Sequence, residues 1–140
     1  MLEWIEPSRL YEQAFDDFQA EFAAVGETTI HGVGGMSARD GLDFNARLQR
    51  TRDAVNGANL PDGHVPASTW WLVDDGRILG TINFRHERND YLRVYGGHIG
   101  YAVRPSERGK GYATEMLRRV LEIARQRGLQ RVLLTCDKSN

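Results

Sequence analysis

Apolar residues spaced three or four positions apart indicate two helices in the first half of the chain. The first follows Ser8, a residue type that caps helix N-termini, and runs to about Ala24. The second runs from Ser37 or Asp40 to Asn56. The two apolar stripes consist of Leu10, Ala14, Phe15, Phe18 and Phe22 in the first helix and of Leu42, Phe44, Leu48 and Val55 in the second.

After the second helix, the pattern changes to a period of two, which is typical of strands. Residues 68–73 and 77–84 are rich in β-branched and aromatic side chains, and Asp74-Asp75-Gly76 between them is a strong hairpin signal. Residues 2–5 and 98–103 predict two further strands. The middle of the chain is therefore an antiparallel meander.

The last part of the chain predicts a strand–loop–helix–strand unit. Residues 111–127 carry the clearest helical pattern, because one face is apolar and the other is charged. A glycine-rich segment, residues 26–35, joins the first two helices, and residues 131–136 form a last apolar strand. Such crossovers are right-handed and join parallel strands. We therefore predict an α/β (α+β) fold with a mixed, mostly antiparallel sheet flanked by helices. The apolar face of the third helix consists of Ala113, Met116, Leu117, Val120, Leu121 and Ala124.

Composition and charge fit one globular domain. The 140 residues suit a single core, and 41% apolar with 26% charged residues is an ordinary balance. The net charge of −1 creates no field that would attract nucleic acid or an anionic membrane. The acidic N-terminus lacks the basic region of a secretory signal. We therefore expect one cytoplasmic domain over residues 1–140, with neither nucleic acid nor membrane as a partner and no metal.

The candidate chemistry lies in the loop between the strand that ends at Val103 and the third helix. Gly109 and Gly111 allow a sharp turn and a close approach to a ligand. The free N–H groups and the dipole of a helix N-terminus favour an anion, and Arg108 and Lys110 add positive charge. Such a loop suits a phosphate or pyrophosphate. A tight, solvated connection with incidental basic residues explains the glycine spacing equally well.

Two common nucleotide motifs fit this loop poorly. A Walker loop ends in Gly-Lys-Ser/Thr, which Gly109-Lys110-Gly111 does not. A Rossmann fingerprint requires a third glycine where this chain has Thr114, and an acidic residue after the next strand. A nucleotide-phosphate-binding module is therefore a minor alternative.

Arg108, Gly111 and Ala113 stand at the three fixed positions of the acetyl-CoA signature of the GNAT superfamily. That signature is an Arg or Gln, two residues, a Gly, one residue and a Gly or Ala. The longer run from Gly96 to Ala113 resembles a bacterial subgroup of predicted acetyltransferases, and the resemblance spans most of the chain.

The resemblance implies an N-acetyltransferase with acetyl-CoA as co-substrate and a primary amine of a small molecule or peptide as acceptor, which attacks directly in a ternary complex. In this family, the main chain of a strand pairs with the pantetheine arm and loop amides hold the pyrophosphate. The alternative is a non-catalytic CoA-binding or sensing domain, because the Val103 strand carries no evident catalytic carboxylate. The implied cofactor-binding residues are Tyr101, Ala102, Val103, Arg108, Gly109, Lys110, Gly111, Tyr112, Ala113, Thr114 and Asn140.

His98 is the candidate general base, because a histidine needs little pKa adjustment to act near neutral pH. Strand alternation places His98 on the face of Gly100, whereas related enzymes often carry the basic group on the face of Ile99. A bulge would shift this register. A structural or substrate-lining role is therefore the other interpretation of His98.

Asn83 and Arg85 are candidates for the acceptor site. Polar residues at 83, 85 and 87 alternate onto one face of a strand, which the solvated face of an antiparallel sheet also explains. As acceptor-site residues, Asn83 and Arg85 would favour a substrate that carries a carboxylate.

The resemblance also implies a C-terminally incomplete domain. Where this chain ends at Asn140, the family continues with a helix that often supplies a tyrosine as the acid for the departing thiolate, followed by two strands. Without them, the strand 131–136 would present an open apolar edge. We expect such an edge to favour association between copies, as in a homodimer.

Overall fold

The computed structural model describes residues 1–38, 40–60, 65–86, 99–126 and 134–135. Within these residues, one sheet contains five strands in chain order, with antiparallel neighbours except for the last, parallel pair. This arrangement confirms the predicted mixed, mostly antiparallel sheet. The strands are β1 (Leu2–Ile5), β2 (Ala67–Asp74), β3 (Arg77–Arg85), β4 (Ile99–Val103) and β5 (Leu134–Thr135).

The described helices cover both faces of the sheet. On one face, Phe15 of the first helix stacks on Trp71 of β2, with ring centroids 4.9 Å apart. On the other face, Met116 of the third helix packs with Ile82 of β3 and Ile99 of β4. No described helix has the length and apolar character needed to cross a membrane. The helices are α1 (Glu12–Ala24), α2 (Phe44–Asn56) and α3 (Tyr112–Gln126).

The β2–β3 hairpin turns through Asp75 and Gly76, as predicted. Both residues have positive φ angles, of 52° and 78°. This is the backbone of a two-residue turn that matches the twist of the flanking strands. A bulge between Leu72 and Val73 shifts the register near the turn.

The first helix begins later than predicted. The Ser8 hydroxyl accepts the N–H of Leu10 at 3.2 Å and caps a 3₁₀ turn over Arg9–Tyr11. The α-helix follows from Glu12. The tighter winding of the 3₁₀ turn moves Leu10 off the apolar stripe. Leu10 is 92% exposed, so its predicted place in the core was wrong.

The second helix begins after an N-cap residue, Asp43, that was not predicted. The Asp43 carboxylate accepts the N–H of Ala46 at 2.8 Å, so α2 starts after Asp43 rather than at Ser37 or Asp40. Leu42 therefore lies before the helix and is exposed. Two further residues predicted on the apolar faces are also exposed, Val55 and Leu121.

The glycine-rich segment crosses the α1/α2 face of the sheet in direct contact with β4. Gly32 has a φ of 81°, and a Cβ at this position would lie 2.6 Å from the carbonyl oxygen of Gly100 and 2.7 Å from the Cα of Tyr101. The Thr81 hydroxyl donates to the Gly32 carbonyl at 2.7 Å and fixes the contact. The positive φ and the close contact with β4 both require glycine at position 32.

The same segment also contacts β2 and α2. A Cβ at Gly34 would lie 2.4 Å from the Thr69 hydroxyl and 2.7 Å from the amide nitrogen of Asn83. A Cβ at Gly35 would lie 2.9 Å from the backbone of Thr51. Gly32, Gly34 and Gly35 therefore let the backbone pack where a side chain would clash.

We expect Gly32→Ala to destabilise the fold more than Gly41→Ala. Gly41 also has a positive φ, of 74°, but within the described part of the chain a Cβ there has no neighbour within 4 Å. The control should lose about 1–2 kcal/mol from the left-handed backbone. Gly32→Ala should lose about 1–3 kcal/mol more from overpacking against β4. Urea unfolding measures both, and equal losses would contradict the close contact.

Candidate functional site

A cavity of about 280 Å³ opens where the carboxyl end of β4 meets the amino end of α3. All of its lining residues except Glu107 were predicted from the sequence as cofactor-binding. Of the other two predicted residues, Lys110 lies in the same loop and Asn140 lies outside the described residues. The lining consists of Tyr101, Ala102, Val103, Glu107, Arg108, Gly109, Gly111, Tyr112, Ala113 and Thr114.

The loop between β4 and α3 (residues 104–111, the cofactor loop) is shaped by two glycines. After a 3₁₀ turn over Pro105–Glu107, Gly109 and Gly111 adopt φ angles of 80° and 87°. A Cβ at either position would meet no atom of the described residues within 4 Å. The backbone conformation therefore requires glycine, and the space above the loop is open for a ligand.

The first turn of α3 supplies donors to this space. The N–H of Glu115 bonds back to the Gly111 carbonyl at 3.0 Å. The N–H groups before it, from Tyr112 to Thr114, precede the first helical bond and project from the helix end. They carry the positive end of the helix dipole, which favours an anion in the cavity.

The carboxyl end of β4 borders the cavity. The parallel register pairs Ile99 with Leu134 and Gly100 with Thr135. β4 continues to Val103, whose carbonyl accepts the Nε of Arg108 at 3.2 Å. Ala102 and Val103 pair with Thr81 and Gly80 of β3 along one edge of the strand, and both also line the cavity.

Arg108 is paired with Glu27, which was not among the predicted site residues. Its two Nη atoms donate to the two carboxylate oxygens of Glu27, each at 2.8 Å. Its guanidinium carbon lies 5.6 Å from the centre of the Phe22 ring. The hydrogen bonds from Arg108 hold the pKa of the Glu27 carboxyl below its usual value.

Lys110 is also paired, but with a neighbour. Its Nζ lies 2.7 Å from the Glu107 carboxylate, which accepts Arg77 at 2.6 Å as well. Both bonds lower the pKa of Glu107, with that from Lys110 the larger cause. The charges of Arg108 and Lys110 were expected to face the ligand, whereas carboxylates already neutralise both.

The other end of the cofactor loop is held by α1. Glu21 accepts the N–H of Ser106 at 2.6 Å and an Nη of Arg104 at 3.1 Å. Burial raises the pKa of Glu21, but these hydrogen bonds outweigh it and lower the pKa. Arg104 is buried, and its Nε donates to the Ile78 carbonyl at 2.7 Å.

The predicted acceptor-site residues lie on the α1/α2 face. Asn83 is buried, and its amide nitrogen donates to the Thr69 hydroxyl at 3.0 Å and to the Ser68 carbonyl at 3.2 Å. Arg85 is half-buried, and an Nη lies 3.7 Å from where a Cβ of Gly100 would be. The helices and the glycine-rich segment cover Asn83, so the solvated-face explanation does not hold there. These contacts commit Asn83 to the sheet and leave Arg85 as the candidate beside β4.

His98, the candidate base, lies outside the described residues. Within β4 the expected alternation of side chains between the two faces holds, since Ile99 packs towards α3 and Ala102 towards α1. Among the described residues, no group of three or more His, Cys, Asp or Glu side chains is placed to hold a metal ion.

The chain is similar to known proteins both in sequence and in fold. The model of the acetyltransferase (GNAT) family matches residues 41–140. A crystal structure of an acetyltransferase from Trypanosoma brucei shares 19% identity at a TM-score of 0.58, over 99% of this chain and 85% of that one. A predicted acetyltransferase with acetyl-CoA from Clostridium acetobutylicum shares 17% identity at a TM-score of 0.55, over 99% and 83%.

No curated protein sequence matches the chain significantly. The two structural likenesses establish a shared fold, and the family model covers more than half of the sequence, including all of the cofactor loop and α3. The chain therefore belongs to the GNAT acetyltransferase family.

Proposed function

We propose that this protein is an enzyme that transfers an acetyl group from acetyl-CoA to a primary amine of a small molecule or peptide. The observation that carries the proposal is the cavity at the N-terminus of α3, because its lining coincides with the residues of the acetyl-CoA signature. Acetyl-CoA, when bound, supplies an activated thioester. The residues of this chain bind it, orient it and receive the acceptor.

The cofactor loop fits a pyrophosphate. Gly109 and Gly111 remove side chains from the open space above the loop, and the first turn of α3 offers N–H groups. Lys110 is more than half exposed and pairs with Glu107. Exposed pairs of this kind contribute little to stability, so Lys110 can turn to a phosphate at little loss.

The edge of β4 fits the pantetheine arm. Ala102 and Val103 at the carboxyl end of β4 line the cavity. Backbone amides at such an edge can pair with the amides of a ligand as they would with another strand. This pairing would direct the thioester end towards Gly100.

The acceptor would approach β4 near Arg85. A main-chain N–H of β4 would donate to the thioester carbonyl, and a neutral amine would attack the carbonyl carbon directly in a ternary complex. As the C–N bond forms, the C–S bond would break; the proton lost by the amine would pass to the base, and the departing CoA thiolate would take up a proton. His98 remains the proposed base. The guanidinium of Arg85 lies beside Gly100, which favours an amine that also carries a carboxylate.

The proposal is tested by titration and turnover. We expect the protein to bind CoA and acetyl-CoA in calorimetry and to release CoA repeatedly with at least one member of a panel of amines, amino acids and peptides. Binding without turnover across the panel would indicate the CoA-sensing alternative. Tighter binding of ATP than of CoA would instead indicate a nucleotide-phosphate module.

We expect Gly111→Val to lower CoA affinity by at least about tenfold while the protein stays folded. The added side chain would occupy the space in which the phosphates must approach the backbone. Gly41→Val is the matched control, since Gly41 has a similar positive φ and open surroundings away from the cavity. Calorimetry on both variants, with circular dichroism for folding, checks this. Unchanged affinity in folded Gly111→Val would place the phosphates elsewhere.

We expect Arg85→Gln to raise the KM of a carboxylate-bearing amine by about tenfold, the size of one lost charge-assisted hydrogen bond. The KM of the matching carboxamide should change little, because it offers no negative charge to Arg85. Arg9→Gln, at an exposed position, controls for net charge. Equal KM values for the carboxylate in wild type and Arg85→Gln would remove Arg85 from the acceptor site.

A further inference from the structure

The end of α1 directs Glu27 towards the cofactor loop. Gly26 has a φ of 80°, its N–H bonds to the Ala23 carbonyl at 3.0 Å, and the N–H of Glu27 bonds to the Phe22 carbonyl at 2.9 Å. These two bonds form the Schellman motif, which folds the chain back over the last helical turn. Glu27 is thereby set beside Phe22, next to the position of Arg108.

The guanidinium of Arg108 is held from several sides at once. Both Nη atoms bond to Glu27, Nε bonds to the Val103 carbonyl, and the guanidinium lies over the Phe22 ring. A bidentate pair of this geometry is stronger and more directional than a single contact. To reach a phosphate, Arg108 would have to give up bonds to two different parts of the chain.

We propose that Glu27 is a positioning residue for the cofactor loop. It holds Arg108 against the end of α1 and the end of β4, and so fixes the backbone amides that face the cavity. Arg108, although it stands in the acetyl-CoA signature, then acts as an anchor of the loop rather than as a phosphate ligand. This inference rests on the proposed binding of CoA in the cavity.

A second contact from the same helix supports this role. Glu21 holds the N–H of Ser106 and the side chain of Arg104 at the other end of the loop. The segment with Gly109 and Gly111 follows these two attachments and contains the residues that need a left-handed backbone. The attachments oppose the conformational freedom that two glycines would otherwise give the loop.

The direction in which CoA affinity changes in Glu27→Gln distinguishes two possible roles of Glu27. If Glu27 only neutralised Arg108, then Glu27→Gln would release a cation to the phosphates and tighten CoA binding. If Glu27 positions the loop, the same change should weaken CoA binding, by about fivefold or more for contacting groups in one network. Asp16→Asn, an exposed acid on α1, is the control for removing one negative charge.

We expect Glu27→Gln to raise the Kd of CoA and the KM of acetyl-CoA, with kcat at saturation and the KM of the acceptor unchanged. Arg108→Gln should have a similar effect, and the double variant should be no worse than either single one, because one unit is lost in each case. Tighter CoA binding in Glu27→Gln, or affinity equal to that of Asp16→Asn, would overturn the proposal.

The coupling between Glu27 and Arg108 can also be measured without any ligand. In a double-mutant cycle of unfolding midpoints, Glu27→Gln and Arg108→Gln should be non-additive, and both should speed amide exchange in residues 104–111. Because the folded-state pKa of Glu27 is depressed, its stabilisation is present above the unfolded pKa of about 4.3 and is lost as pH falls through the folded value. The stability of wild type and Glu27→Gln should therefore converge in acid.

These ligand-free readouts keep the two proposals distinguishable. Failure of wild type to bind CoA would refute the proposed function, while a non-additive cycle would still establish the Glu27–Arg108 unit. An additive double-mutant cycle, with unchanged amide exchange in the loop, would refute the positioning role of Glu27 whatever the affinity for CoA.

Discussion

The burial of β4 on both faces is the constraint on which the rest of the structure depends. Ile99 is fully buried under α3, and the backbone of the glycine-rich segment lies on Gly100 from the other side. A strand covered in this way can meet a ligand only along its edge and at its end. The cofactor loop leaves β4 at that end, so the cavity lies where backbone groups are still accessible.

Electrostatics at the site are set by distant parts of the sequence. From the neighbouring sequence alone, the cations of the cofactor loop are predicted to be phosphate ligands. In the fold, Glu21 lies in α1, Glu27 lies in the turn that follows α1, and Arg77 comes from the β2–β3 hairpin. The loop therefore presents mainly backbone donors, and its side-chain charges serve largely to fix its shape.

Local signals predicted the elements that local physics controls. Asp75-Gly76 determines a tight turn by its backbone preferences, and the amphipathic pattern of α3 follows from its burial on one side. Residues near helix ends were predicted less well, because a cap such as Asp43 shifts the phase of the pattern and exposes Leu42. Most of the cavity lining was predicted because it forms one continuous run of sequence.

Contacts between remote segments left no comparable signal. Nothing around Glu27 distinguishes it from an ordinary surface acid, and its role depends on the way the Schellman turn meets a loop far along the chain. The buried contacts of Asn83 likewise depend on Gly34, which lies in another element. An alternating polar pattern is the same whether a strand faces water, a ligand or a backbone.

The hydrogen bonds between α1 and the cofactor loop join residues 81 to 85 positions apart in the chain. Contacts across such separations carry a large loop-closure cost and form slowly. During synthesis, α1 leaves the ribosome long before its partners in the loop exist. We therefore expect the loop to take its shape only after α1 has met it, and a ligand that recognises this shape would select molecules in which these two remote segments are already in contact.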